Sequence, residues 1–339
     1  MKERFHYSLL RHNTFGIDAS CRRFLEYESE QEAAAIAPTL TRPYLLLGGG
    51  SDLLLTADYP GTVVHSAITD MTSEPVEGGM LLRVGSGRTW DSVVELAVGA
   101  GWHGAENLSA IPGEVGASAV QNIGAYGAEV SDLIDSVEAV EIGTGRKVRF
   151  SNADCHYSYR QSRFKHEWRD RFLITYVTYR FSLAFTPQLD YGNIRAALAE
   201  HHIQQPTPQQ LRQTITDIRA DKLPDPRRVG NAGSFFMNPI VDENKFHVLQ
   251  QAFPGMPHYV VEGSEGRPMA YKIPAGWMIE QCGWKGRSIG PAGVHDKQAL
   301  VLVNRGGATG ADIVGLMHRI QADVSHRFGI DLQPEVNIV

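Results

Sequence analysis

The sequence predicts an α+β protein of two or three domains, and three observations carry that prediction. At 339 residues the chain is too long for one ordinary core. Through its middle, runs of β-branched and aromatic residues alternate with apolar residues at helical spacing. Two glycine-rich runs, 48–52 and 111–127, suit close approach of backbone N–H groups to a pyrophosphate, yet match neither the P-loop nor the Rossmann fingerprint. A dinucleotide bound here requires a different fold.

The elements follow in order. Tyr44, Leu45, Leu46 and Leu47 read as a strand, 48–52 as a tight glycine turn and Leu53, Leu54 and Leu55 as a second strand. Residues 81–84 read as a strand, and 89–100 as a helix burying Val93, Val94, Ala97 and Val98 and ending at Gly99 and Gly101. The run 111–127 reads as a loop. Residues 137–142 and 147–150 flank Gly143 and Gly145 as a hairpin, and 172–183 form a long strand.

Polar, proline-containing residues at 204–208 mark a boundary. Thr207 and Pro208 then start a helix with Leu211, Ile215 and Ile218 on one face. Residues 223–226 and 230–233 read as a rigid, then flexible, connector. Thr309 caps a helix carrying Ile313, Leu316, Met317, Ile320 and Val324, and 331–339 close the chain as a strand.

Composition narrows the function. Apolar residues at 42% and charged residues at 21% match soluble globular proteins and leave no room for extensive disorder. A net charge of −6, with both signs well mixed, argues against nucleic acid or an anionic membrane as the main partner. Neither a secretory leader nor a membrane-spanning apolar run is present, so a cytoplasmic protein is expected. Cys21, Cys155 and Cys282 show no disulfide or zinc spacing, and the histidines form no ligand cluster, so no metal is assigned.

Three polar groups stand in apolar or glycine-rich surroundings, where a charge stabilises a reacting oxyanion most strongly: Arg160 beside Tyr159, Ser234 and Glu335. Each also has an ordinary reading. Arg160 can be a surface ion pair or a stacked contact, Ser234 a turn residue and Glu335 a solvent-facing strand residue. No GxSxG context makes Ser234 an acyl-transfer nucleophile. Tyr191 and Lys222 read as surface residues that only a phosphate-bearing substrate would unite. Spacing alone stops there.

The order of motifs goes further. NTFGID at 13–18, GGGSD at 48–52, IPGEVGASAVQNIGAYG at 111–127, SYRQSRFKHE at 158–167, KLPDP from Lys222, GNAGSFFMNP at 230–239 and AGWMIEQCGWKG from Ala275 together resemble the UDP-N-acetylenolpyruvoylglucosamine reductase (MurB) family, in its longer, Tyr-loop-containing type. That resemblance implies two FAD-binding subdomains of the vanillyl-alcohol-oxidase-like (PCMH) kind, 1–72 and 73–216, and an α+β substrate-binding domain, 217–329, with 330–339 returning to the first.

It also implies NADPH-driven, FAD-dependent reduction of UDP-N-acetylglucosamine enolpyruvate to UDP-N-acetylmuramate for peptidoglycan synthesis, by a monomer that binds this UDP-sugar enolpyruvyl ether. Carried over by motif position, Arg160 and Glu335 stabilise an enolate and Ser234 protonates its α-carbon. Tyr191 and Lys222 clamp the diphosphate, and Tyr159, Asn238 and Lys272 contact substrate. FAD is held by Gly48, Gly49, Gly50, Ser51, Asp52, Ile111, Pro112, Gly113, Gly116, Ala117, Ser118, Gln121, Asn122, Gly124, Ala125, Tyr126 and Ile174.

Two positions depart from the family pattern. Asp52 stands where GSN is common, and Met237 where SFFKNP has lysine. The first weakens FAD retention unless its carboxylate turns away from the phosphates or is hydrogen-bonded; the second removes a cation near substrate. Two other readings remain at this stage: a flavin oxidase of the same fold, and a catalytically silent nucleotide-binding module.

Overall fold

The computed structural model describes residues 1–261 and 269–339. The chain divides into two compact units: one of 1–8, 20–50 and 59–220, the other of 9–19, 51–58 and 221–339.

The first unit contains two main sheets. Strands Lys2–Ser8, Ser20–Tyr27, Tyr59–Ser66 and Tyr44–Leu47 lie side by side in that order, the first pair antiparallel and the others parallel. Helix Glu30–Ile36 begins where Ser29 Oγ accepts the Glu32 N–H at 3.2 Å. Its Ala33 and Ile36 bury against Leu25, Tyr27, Val64, Leu173 and Tyr176.

The second sheet is fully antiparallel, in the order Lys147–Ser151, Ile134–Glu141, Phe172–Ser182, Gly79–Gly85 and Met71–Val76. Phe172 through Tyr179 are buried without alternation, because this central strand is covered on both faces. Helix Trp90–Ala100 buries Trp90, Val93, Val94, Ala97 and Val98, the predicted face. The helix expected after Thr207 starts as read, inside the first unit: Thr207 Oγ1 accepts the Gln210 N–H at 3.2 Å, and Gln210 Oε1 accepts the Thr207 N–H at 2.9 Å. Helix Pro208–Lys222 then sets Leu211, Ile215 and Ile218 against Leu189, Ile194 and Leu198.

In the second unit, strands Gly230–Ser234, Val301–Asn304, Ala292–Val294 and Ser288–Ile289 form a sheet. Helix Gly310–Phe328 is opened by a Thr309–Asp312 capping box and stopped by Gly329 at φ +59°. It buries Ile313, Leu316, Met317, Ile320, Val324 and Phe328. A small sheet holds Ile240–Asp242, Ala270–Lys272 and Tyr259–Val261.

Three sequence expectations are corrected. The run 111–127 is not a loop throughout: Val115–Gln121 is helical and Gly124–Ala125 pairs with Ala128–Glu129. Residues 230–233 are no flexible connector but a strand on Val301–Asn304, with Asn231 N–H donating to Thr14 O at 3.0 Å. Gly230 is demanded by closeness, since a Cβ would collide with the Phe15 carbonyl. Of 331–339 only Asn337–Ile338 is a strand, paired parallel with Leu53–Leu54. In the last two cases the deciding partner is remote in sequence.

The close approach at Gly310 is testable. A Cβ there would collide with the Leu55 carbonyl oxygen and lie 2.6 Å from Thr56 Cα, both backbone atoms that cannot rotate away. Gly310→Ala is expected to destabilise the protein by about 1–3 kcal/mol despite alanine's better helix propensity. Urea denaturation showing no loss would contradict that packing.

Candidate active site

In the first unit the two glycine runs meet. A Cβ on Gly48 would lie 3.0 Å from Ala117 Cβ, and one on Gly49 would lie 3.3 Å from Gly113 Cα, so the two runs pack closely, with the small Ala117 side chain and the Glu114 side chain at the contact. The second run is fixed from behind. Trp90 N–H donates to Gly113 O at 3.0 Å, Val115 N–H to Arg88 O at 2.9 Å and Gly116 N–H to Ser86 O at 2.9 Å. Gly116 has no space for a Cβ, which would meet Ser86 Cβ at 2.9 Å. A rigid, backbone-lined surface of this kind fits the pyrophosphate of the FAD that the motifs imply.

The remaining expected cofactor residues divide by what their side chains already do. Ser118 Oγ donates to Val115 O at 2.7 Å and meets Tyr179 Oη at 3.0 Å. Asn122, fully buried at φ +46°, donates to Glu129 Oε2 at 2.6 Å and Ser158 O at 2.9 Å. Gln121 Oε1 accepts from Lys165 Nζ at 2.9 Å. These side chains are engaged by the protein, and Ile174 packs in the core. Ile111, Pro112, Gly124, Ala125 and Tyr126 lie on the same glycine run, and Gly50 on the other.

Arg160 belongs to this unit. Held at φ +57°, it donates from Nη2 to Gly124 O at 3.0 Å, which ties the guanidinium to the end of the glycine run. Tyr159 beside it is 38% exposed and Tyr191 is 42% exposed, so both can reach a ligand. Tyr191 lies against Gly127, whose Cβ would sit 3.4 Å from its own. Arg219, which the motif reading did not single out, donates from Nε to Ala110 O at 3.2 Å. Burial pushes its pKa down, with nearby Arg160 acting the same way and Tyr126 opposing.

A second omission is His65. Its Nδ1 lies 3.1 Å from Glu26 Oε2 and its Nε2 3.1 Å from Glu114 Oε1. Glu114 occupies the N-cap position of helix Val115–Gln121, yet its side chain does not cap the helix. A lone histidine in a strand gives no signal for such a bridge; a carboxylate inside a glycine run near a phosphate is the one hint.

The second unit carries Ser234 and Glu335. Ser234 ends strand Gly230–Ser234 after an irregularity in register, with Gly233 at φ +70°. The next residues, Phe235 and Phe236, are buried and anchor the turn. Glu335 N–H donates to Phe235 O and Met237 N–H to Gln333 O, at 2.8 and 2.9 Å. The serine and the glutamate thus stand on adjoining, hydrogen-bonded segments. Asn238 Oδ1 accepts the Ala275 N–H at 2.9 Å, and Lys272 pairs in register with Ile240. Lys222 ends its helix half-buried.

Asp52 and Ser51 also lie in this unit. The Asp52 carboxylate accepts from Asn337 Nδ2 at 3.1 Å, and its carbonyl accepts the Asn337 backbone N–H at 3.1 Å. The departure from GSN therefore meets its condition: the carboxylate is hydrogen-bonded, two residues beyond Glu335.

The family described as "FAD binding domain" matches residues 24–151, and "UDP-N-acetylenolpyruvoylglucosamine reductase, C-terminal domain" matches 225–339. The UDP-N-acetylenolpyruvoylglucosamine reductase of Bacteroides fragilis (strain ATCC 25285) is 52% identical over 98% of this chain and 99% of its own. That of Porphyromonas gingivalis (strain ATCC 33277) is 44% identical over the whole of both chains. The solved reductase (MurB) from Thermus caldophilus shares the fold, with a TM-score of 0.67 at 22% identity over 99% of this chain and 98% of its own. With an α+β FAD-binding fold followed by the family's C-terminal domain, and full-length similarity to named members, the chain belongs to the UDP-N-acetylenolpyruvoylglucosamine reductase (MurB) family.

Proposed function

We propose that this protein reduces the enolpyruvyl double bond of UDP-N-acetylglucosamine enolpyruvate with NADPH, giving UDP-N-acetylmuramate. The observation that carries the reading is the full-length 52% identity to a reductase of that name, joined to two glycine runs packed closely together. When bound, FAD supplies the hydride relay between NADPH and the substrate's double bond. Residues 1–72 and 73–216 serve as its binding subdomains and 217–329 as the substrate domain.

The chain's own residues supply the rest. Negative charge grows on the substrate's enolate and carboxylate during reduction, and the Arg160 guanidinium counters it. Glu335 contributes as a carboxyl that keeps or shares a proton, because a bare carboxylate would repel that charge. The Ser234 hydroxyl delivers a proton to the α-carbon. Lys222 and Tyr191 hold the diphosphate, while Tyr159, Asn238 and Lys272 orient the sugar and enolpyruvyl ends.

The protein acts as a monomer in the cytoplasm; its three cysteines are free, and no helix among the described residues is long and apolar enough to cross a membrane. The test is a visible spectrum of the purified protein before and after NADPH, then after the enolpyruvyl nucleotide. Flavin absorbance should bleach with NADPH and return with the nucleotide. Turnover of NADPH that ignores the nucleotide and follows oxygen would replace this reading with an oxidase.

A further inference from the structure

His65 bridges Glu26 and Glu114 beside the two glycine runs. Both imidazole nitrogens face carboxylate oxygens at 3.1 Å, and a histidine donates from both nitrogens only as the imidazolium. All three side chains are largely buried, between 12% and 18% exposed. Glu114 is also the residue against which the first glycine run packs: its Oε2 would lie 3.6 Å from a Cβ on Gly48 and its Cγ 3.6 Å from one on Gly49. The bridge therefore joins strand Ser20–Tyr27, strand Tyr59–Ser66 and both glycine runs.

We propose that His65 is a positioning residue for the flavin, its imidazolium holding Glu114 in place and cancelling a carboxylate charge beside the FAD pyrophosphate. This rests on the cofactor placement proposed above. Loss of the His65 proton leaves Glu114 uncompensated next to the phosphates, so FAD is held tightly only while His65 is charged.

The surrounding charges support that direction. Lys2 Nζ, on the outer strand, lies 2.9 Å from Glu26 and 2.7 Å from Glu28, so Glu26 keeps a cation when His65 is neutral, whereas Glu114 pairs with no second cation among the described residues. The neighbouring strand Tyr44–Leu47 sets apolar Leu47 in register with His65, and the Phe24 ring stacks 6.2 Å from it. Tyr27, whose hydroxyl donates to Ile174 O at 3.0 Å, is pushed by burial up to about 12 and stays neutral. Burial would lower the His65 pKa, but Glu114 and Glu26 outweigh it and raise it above the ordinary 6.5. A raised folded-state value means the stabilisation is complete below the ordinary value and is lost as pH rises through the raised one.

The test is FAD dissociation from the full-length holoenzyme, read by flavin fluorescence on dilution between about pH 6 and about pH 9. The wild-type dissociation constant should rise roughly tenfold across that range, the scale of one like charge near the pyrophosphate in a partly buried setting. Glu114→Gln should stay tight and flat with pH; His65→Gln should stay loose and flat. A purely structural bridge would instead weaken both variants while leaving the wild-type slope in each. A flat wild-type curve, or a Glu114→Gln variant with the wild-type slope, overturns the role of His65 and leaves the cofactor placement standing. Failure to bind FAD at any pH overturns both.

Discussion

Replacing Ser234 with alanine is expected to leave NADPH-dependent bleaching of the flavin within about twofold of wild type and to slow its recovery on adding substrate by roughly 10²–10⁴-fold, the usual worth of a general acid. The fold should tolerate the change. Ser234 is half-exposed at the end of its strand, and the groups that fix the segment are Phe235 and Phe236, which are buried, and the backbone bond from Phe235 N–H to Leu300 O at 2.8 Å. What disappears is one hydroxyl proton. Loss of an oxyanion-stabilising partner, the role proposed for Arg160, costs a comparable amount, about 2.7–4 kcal/mol, so size alone does not separate the proposed roles. The affected step does: stopped-flow traces in which both half-reactions slow equally would remove Ser234 from the proton-donor role.

Trp90→Ala is expected to cost about 3–5 kcal/mol of stability, the largest single loss foreseen in the first unit. The indole is fully buried, packs edge-on against Tyr179 at 5.3 Å and donates from Nε1 to Leu108 O at 2.9 Å. Truncation leaves both a cavity and an unsatisfied carbonyl. The loss reaches the second glycine run, because Leu108, whose carbonyl the indole holds, lies three residues before it, while the main-chain bond from Trp90 N–H to Gly113 O remains. Chemical denaturation should show the lost stability, and FAD should leave the variant faster. A loss under about 1 kcal/mol would mean the core closes over the gap.

Local patterns were readable wherever the deciding contacts are local. The Thr309–Asp312 capping box, the Gly329 stop, the apolar face of Trp90–Ala100 and the hairpin of Ile134–Glu141 with Lys147–Ser151 are each set by residues a few positions apart. The helix inside 111–127 escaped because its sequence, VGASAVQ, is rich in small residues and has no strong apolar period. It is shaped instead by Ser86 and Arg88 behind it, and by Tyr179. Residues 230–233 read as a connector for the same reason: four small or polar residues become a strand only against Val301–Asn304.

The candidate site shows the same limit. Motif order named Arg160, Ser234 and Glu335, but not what their neighbours do. In the sequence Asp52 reads as a liability; Asn337, 285 residues away, hydrogen-bonds its carboxylate. His65 and Glu114 are 49 residues apart, and nothing in either local sequence pairs them.

By itself the sequence determined the family, the reaction class it implies and the locally capped and patterned elements, because those depend on residue type and short-range spacing. Only the tertiary structure decided that the two glycine runs pack against each other, which carboxylate is balanced by which cation, and that the C-terminal segment runs beside both Ser234 and Asp52. These are consequences of long-range pairing, where hydrogen bonds and charge burial between distant residues settle what local propensity leaves open.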